Sequence, residues 1–92
     1  MAFAIVTLKI MPVSPKTDLE KIAIEAEKKI IAYAGDGDRK KEIEPIAFGL
    51  NALKMIFVMD EKKGSPEPLE KDIATIKGVN SVEVVDVRRA IG

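Results

Sequence analysis

The sequence contains no cysteine and no histidine. Without cysteine the chain can form no disulfide and has no thiol nucleophile, which fits a reducing compartment. Because both residue types are absent, the usual zinc sites and the Ser-His and Cys-His catalytic pairs are excluded. The remaining carboxylates fall on helix surfaces or in loops, where they are expected to be solvated. The composition therefore favours a protein that is not an enzyme.

The chain also lacks an excess of either charge. It has 15 basic and 15 acidic residues, so no net field favours nucleic acid or an acidic membrane surface. The N-terminal apolar run has no basic segment before it and is interrupted early by Lys9, unlike a signal peptide. No stretch is long enough to be a transmembrane helix. We expect a cytoplasmic protein without direct nucleic-acid or membrane partners.

Length and hydropathy predict a single folded domain. A chain of 92 residues lies near the lower end of the usual domain size, and 47% of its residues are hydrophobic against 33% charged. Such a chain can bury one hydrophobic core without disulfides or metals. We therefore expect one domain over residues 1–92.

Four segments have the patterns of β-strands. Pro45 interrupts the second one, and because proline cannot donate to a neighbouring strand, this segment belongs at a sheet edge. Gly49 to Asn51 is expected to close a hairpin before the third segment. In the last segment the alternation slips between Val84 and Val85, which indicates either a β-bulge or a strand apolar on both faces. The predicted strands are Phe3–Met11, Ile43–Phe48, Ala52–Met59 and Ser81–Val87.

Two amphipathic segments are predicted to be helices. Thr17 to Glu20 matches a capping box, in which Glu20 bonds back to the first residue, and Gly35 is expected to end this helix. The second helix is predicted to start at Ser65–Pro68, with both prolines in its first turn, and to end at Gly78.

The resulting order is β-α-β-β-α-β, which predicts an α+β fold of the ferredoxin-like type. Right-handed crossovers place both helices on one face of a four-stranded antiparallel sheet with strand order 4-1-3-2. In this order the proline-containing second strand is an edge strand. The fold alone does not identify a function, because it occurs with many unrelated activities.

Two functions known for this fold, RNA binding and small-molecule regulation, and one possible calcium loop can be tested against the residues. An RNA-binding module needs aromatic side chains on the open sheet face, but that face of the third strand has only Lys54, Ile56 and Val58. Asp36 and Asp38 lack the further ligands of a calcium loop, so we expect an ordinary loop and no metal. A small-molecule regulatory module of the ACT type stays open, because residues 76–82 resemble the helix-to-strand corner of such modules.

Three further segments resemble the archaeal form of the translation elongation factor 1-beta family. The strongest is the hairpin run Glu44–Lys54, with a proline, an aromatic, a glycine and a large aliphatic residue before the central strand. The segment Pro12–Glu20 before the first helix and the ending Val82–Gly92 agree as well. The resemblance spans nearly the whole chain in matching order.

This resemblance implies a guanine nucleotide exchange factor for elongation factor 1-alpha, the GTPase that delivers aminoacyl-tRNA. It implies no covalent chemistry, no cofactor, and a monomer. The family's basic residue, which enters the region holding magnesium and phosphate, matches Arg89, with Arg88 adjacent. The family's hairpin aromatic matches Phe48. The expected partner-binding residues are thus Ile46, Phe48, Gly49, Leu50, Asn51 and Arg88, with Arg89 acting on the nucleotide site.

Topology predicts that these residues lie at opposite ends of the sheet. The hairpin precedes the third strand, whereas Arg89 follows the last one, and seven residues of strand separate the two by roughly 20–25 Å. A partner contacted by both must therefore be touched in two places.

Overall fold

A computed structural model describes residues 2–91 of the chain, with side chains described for residues 2–89. The first and last residues of the expected domain, Met1 and Gly92, lie outside the described residues. The sheet order is β2-β3-β1-β4, with every adjacent pair antiparallel, which confirms the ferredoxin-like fold. Neither helix in this range is long and apolar enough to cross a membrane. The elements are β1 (Ala2–Pro12), α1 (Leu19–Ala34), β2 (Arg39–Pro45), β3 (Asn51–Asp60), α2 (Glu67–Ile73) and β4 (Val79–Ile91).

The core lies between the two helices and one face of the sheet. Alternate residues of the central strands β1 and β3 point into it, as the sequence pattern predicts. Val6 lies opposite Phe57, and Leu8 lies opposite Met55, with all four side chains at most 2% exposed. Helices α1 and α2 cover this face with Ile22, Ala23, Ala26, Ile30, Leu69 and Ile73.

The first helix begins one residue later than the capping-box prediction. Asp18 is the N-cap, and its carboxylate accepts from the backbone N–H groups of Glu20 and Lys21 at 3.0 and 3.3 Å. The Thr17 hydroxyl instead accepts from the backbone N–H of Ser14 at 3.2 Å, so it belongs to the preceding turn. Gly35 ends the helix with φ 91°, as predicted.

The second helix is shorter than predicted. It covers Glu67–Ile73, with Pro66 at the N-cap, so only Pro68 lies inside the first turn. The Ser65 hydroxyl accepts from the Glu67 N–H at 3.1 Å, and Gly78, with φ 95°, follows a turn rather than the helix itself. The short length agrees with the two prolines and with a helix held mainly by Leu69 and Ile73 in the core.

Strand β2 is an edge strand, as expected, but its boundaries differ from the prediction. It begins at Arg39, inside the predicted loop, and ends at Pro45 rather than at Phe48. Its charged residues concealed it, because Arg39 and Lys41 occupy positions on the helix-covered face that usually hold apolar side chains. The hairpin turn is correspondingly earlier, and Asn51 is the first residue of β3.

Strand β4 has the bulge that the sequence pattern allows. Thr7 pairs with Asp86 whereas Leu8 pairs with Val84, so Val85 is the extra residue. The strand is longer than predicted, and both Arg88 and Arg89 lie within it. The two arginines are therefore fixed by the sheet and are not part of a free tail.

Truncating Leu8 tests this core. Leu8 is fully buried between β3 and β4, so Leu8→Ala should lower the free energy of unfolding by about 2–5 kcal/mol. Val13→Ala, at a position 61% exposed, should change it by about 0.5 kcal/mol or less. Urea unfolding followed by circular dichroism measures both. Equal effects of the two variants would be incompatible with this core.

Candidate partner-binding site

The hairpin between β2 and β3 ends in an exposed aromatic ring. The backbone N–H of Ile46 donates to the Leu50 carbonyl at 2.7 Å, and that of Leu50 donates to the Ala47 carbonyl at 3.2 Å. These bonds close a compact tip with Phe48 at its centre, followed by Gly49. The Phe48 residue is 95% exposed. The ring thus lies outside the core.

The backbone at Phe48 adopts a conformation that is unfavourable for a side chain. Its φ of 61° and ψ of 32° lie in the left-handed region, and Phe48 is the single non-glycine residue with positive φ in residues 2–91. Such a conformation costs on the order of 1–2 kcal/mol. Because neither the strain nor the exposed ring stabilises the isolated domain, both are typical of a residue that serves binding.

A charged cluster on the open sheet face ties the hairpin to the central strands. The Glu44 carboxylate, next to the hairpin on β2, lies 2.9 Å from the Lys54 Nζ on β3 and 3.7 Å from the Lys9 Nζ on β1. The Lys54 ammonium, with a smaller contribution from Lys9, lowers the pKa of Glu44 below its ordinary value. Glu44 in turn raises the pKa of Lys54. The cluster crosses three strands just below the tip.

Arg89 lies near the other end of the sheet. It pairs with Ala4 on β1, which in turn pairs with Met59 on β3, so Arg89 faces the helix-covered side. Its Nε lies 2.7 Å from the Glu61 Oε1, and the Arg89 side chain remains 70% exposed. Glu61 belongs to a 3-10 turn, Glu61–Lys63, directly after β3.

Arg88 points to the opposite, open face of the sheet. It pairs with Ile5 on β1, and its Nε donates to the Asp86 carboxylate at 2.9 Å. Although Arg88 and Arg89 are adjacent in sequence, alternation along the strand separates their side chains. One cannot take the place of the other without a change of register.

The two ends are far apart, as topology predicts. Ile10 on β1 pairs with Leu53, close to the hairpin, whereas Ala4 pairs with Arg89. The six residue steps from Ala4 to Ile10 correspond to about 20 Å of strand, before the length of the hairpin itself is added. The structure brings Ile46, Phe48, Gly49, Leu50 and Asn51 together at one end and Arg88 and Arg89 at the other.

Two other surfaces have features of possible sites, the loop at Asp36 and a groove beside α1. The Asp36 carboxylate accepts from Arg39 Nη1 at 2.9 Å, while Glu27 accepts from Nη2 of the same arginine at 3.0 Å, so this loop is organised around a guanidinium. An open groove of about 810 Å³ lies between α1 and the turn after α2, with Ile24 and Ile76 among its lining residues. Among the residues that the structure describes, no group of three or more acidic side chains suited to a metal ion lies in this groove.

Comparison with known sequences supplies the family. The chain matches the family described as the EF-1 guanine nucleotide exchange domain over residues 5–90. The chain belongs to this exchange-domain family. It is 40% identical over 89 residues to elongation factor 1-beta of Methanothermobacter thermautotrophicus, and 45% identical over 92 residues to that of Methanobrevibacter smithii. Elongation factor 1-beta of Staphylothermus marinus is 42% identical over 92 residues, and each match covers 97% of this chain and 98% of the relative.

The sequence of this exchange domain did not indicate that Glu44 and Glu61 form ion pairs at the two ends of the sheet. Both lie among other charged residues, where a solvated role is the usual one. Their partners become visible only from strand register, which brings Glu44 beside Lys54 and Glu61 beside Arg89. The available signal for Glu61 was its place two residues after Met59, since a continued strand alternation would put it on the side of that core residue.

The lowered pKa of Glu44 predicts a dependence of stability on pH. Because the folded state favours the ionised carboxylate, Glu44 stabilises the fold above its unfolded pKa, and this contribution is lost as pH falls through its folded pKa. Carbon-13 NMR should show Glu44 titrating below the ordinary range of a glutamate carboxyl. Glu44→Gln should flatten the decline in stability between neutral and acidic pH. A Glu44 titration within or above that ordinary range would refute this assignment.

Proposed function

We propose that this chain is a guanine nucleotide exchange factor that promotes GDP release and GTP reloading on the translational GTPase elongation factor 1-alpha. The chain belongs to the exchange-domain family. The observation that carries the proposal is that it exposes two side chains at opposite ends of the sheet, Phe48 in a strained conformation at one end and Arg89 at the other. The names of the relatives, elongation factor 1-beta, support the same partner. We propose that the factor acts as a monomer in the cytoplasm.

The proposed reaction involves binding alone. The factor binds the nucleotide-free GTPase more tightly than the nucleotide-loaded form. Because coupling between two ligands is reciprocal, the factor must then weaken GDP binding by the same ratio. No bond is made or broken, and no cofactor is needed for this step.

Arg89 supplies the proposed destabilisation of bound nucleotide. A guanidinium placed near the magnesium and phosphate site competes electrostatically with the metal ion for its ligands. The planar, permanently charged group also matches carboxylate and phosphate oxygens in a forked geometry. The 70% exposure of the Arg89 side chain makes it accessible to a partner at this end of the sheet.

Phe48 supplies the proposed anchor. A ring already exposed and held by a closed hairpin can enter an apolar pocket of a second GTPase domain with little ordering cost. Aromatic residues buried in this way are frequent hot spots of protein interfaces. The separation of about 20 Å or more between the ends requires a partner with two separate contact regions.

The alternative is a small-molecule regulatory module of the ACT type, which places its ligand at a subunit interface near the helix-to-strand corner. That corner, around Ile76, lines the open groove next to α1. The family match favours exchange, and the two proposals differ in a simple experiment. The regulatory module predicts an oligomer that binds a metabolite, whereas the exchange factor predicts a monomer that binds a GTPase.

Arg89→Ala should slow factor-stimulated GDP release about tenfold or more, since a charge-assisted contact contributes about 1.5–3 kcal/mol. The domain should keep its fold, because the side chain is outside the core. Release of a fluorescent GDP analogue from elongation factor 1-alpha measures the rate. Arg88→Ala tests the neighbouring arginine, which is also expected to bind the partner but lies on the opposite face of the sheet. An effect confined to Arg88→Ala would transfer the role to Arg88, and full activity of both variants would eliminate the mechanism.

Phe48→Ala should weaken association with the GTPase by about 2 kcal/mol or more, which is about thirtyfold in Kd. It should leave the free energy of unfolding nearly unchanged, because the ring is exposed in the free chain. Ile24→Ala, at an exposed apolar position on α1, is the control. Binding is measured by isothermal titration with the nucleotide-free GTPase. Equal affinities of wild type and Phe48→Ala would rule out the anchor.

A further inference from the structure

Arg89 and Glu61 form a close ion pair at the end of the sheet that lies away from the hairpin. Glu61 contacts the guanidinium at Nε, the nitrogen nearest the aliphatic stem, at 2.7 Å. Within residues 2–89, Arg89 forms its ion pair with Glu61 through Nε and not through either Nη group. The outer edge of the guanidinium is thus left for a partner while its inner edge is held.

The backbone at Glu61 is held by the hydrogen bonds of the 3-10 turn Glu61–Lys63. The Asp60 carboxylate caps the 3-10 turn by accepting from the Lys62 N–H at 2.9 Å. The backbone N–H of Gly64, which has φ 77°, closes the turn on the Glu61 carbonyl at 3.0 Å. The turn follows β3 without an intervening loop, so the sheet determines where the carboxylate lies.

The pair also bridges three strands. Arg89 lies on β4 and Glu61 follows β3, with β1 between them. At this level β1 carries Ala4, a residue with a small side chain, which pairs with Arg89 on one side and Met59 on the other. A free arginine side chain has many rotamers, and restricting them before association lowers the entropy lost when the guanidinium is delivered.

We propose that Glu61 is a positioning residue for nucleotide exchange, which holds Arg89 in the orientation that enters the nucleotide site. This inference rests on the proposed function. The inference gives Glu61 a positioning role in exchange, which differs from an inhibitory role. If Glu61 only neutralised Arg89, its removal would speed exchange, whereas a positioning residue slows exchange when it is removed.

Removal of the Glu61 side chain is the first test. Glu61→Ala should lower the maximal rate of GDP release at saturating factor about two- to fivefold, the change that corresponds to about 0.5–1 kcal/mol for a surface ion pair. The factor concentration giving half the maximal rate should stay unchanged, because the hairpin anchor is intact. Glu61→Gln, which keeps an oxygen acceptor, should lose less. Glu25→Ala, which removes an exposed acid on α1, should have no effect.

A double variant separates positioning from a general structural role. In the Arg89→Ala background, Glu61→Ala should have no further effect on exchange, because the group that it positions is gone. A further loss in that background, or a faster rate in Glu61→Ala or Glu61→Gln, overturns the inference.

A measurement without the GTPase keeps this inference distinct from the proposed function. Nitrogen-15 relaxation of the Arg89 Nε should show a restricted side chain in the wild type and a mobile one in Glu61→Ala. An equally mobile Arg89 in both overturns the positioning role. Wild-type protein that fails to stimulate GDP release overturns the proposed function and the inference that rests on it. Stimulation that depends on Arg89 but is equal in Glu61→Ala overturns the inference alone.

Discussion

The antiparallel pairing of β1 with both of its neighbours determines where the hairpin and Arg89 lie in the sheet. Along one side β1 pairs with β3, and along the other with β4, so the start of β3 and the end of β4 must occupy opposite ends of the sheet. The buried alternation from Ala4 to Ile10 fixes this register, because a slip of one residue would turn the core side chains to solvent. The separation of the hairpin from Arg89 follows directly from this pairing.

Each end of the sheet presents its key side chain in a different way. The hairpin tip holds Phe48 by backbone geometry, with a left-handed conformation and two closing hydrogen bonds. The other end holds Arg89 by charge, through Glu61 on a capped turn. Burial in an apolar pocket of a partner stabilises the bound state of an aromatic anchor. A cation instead interacts most strongly with negatively charged groups where little water screens them. The chemistry at each end therefore differs, which is why the proposed GTPase contact involves two separate regions of the partner.

The sequence was sufficient for the fold and for placing the candidate residues at opposite ends of the sheet, but not for the details that depend on tertiary contacts. Period-2 alternation identified the central strands, and the proline identified the edge. The N-cap at Asp18 was missed because Thr17 also fits the sequence pattern of an N-cap. The contact of the Thr17 hydroxyl with the preceding turn is what leaves Asp18 as the cap. The start of β2 at Arg39 was missed because a charged side chain pointing toward the helices conceals the apolar period. The exposure of Phe48 and the ion pair of Glu61 depend on the turn and on strand register, and neither is encoded in local composition.

The most direct test of a two-ended contact is amide hydrogen exchange of this chain with and without nucleotide-free elongation factor 1-alpha. The account predicts slower exchange in two separate segments, the hairpin tip from Ile46 to Leu50 and the region formed by the end of β4 with the Glu61–Lys63 turn. The outer surface of α1, including Ile24, should exchange at the same rate in both samples. Protection confined to one end, or centred on the groove between α1 and the turn after α2, would contradict it.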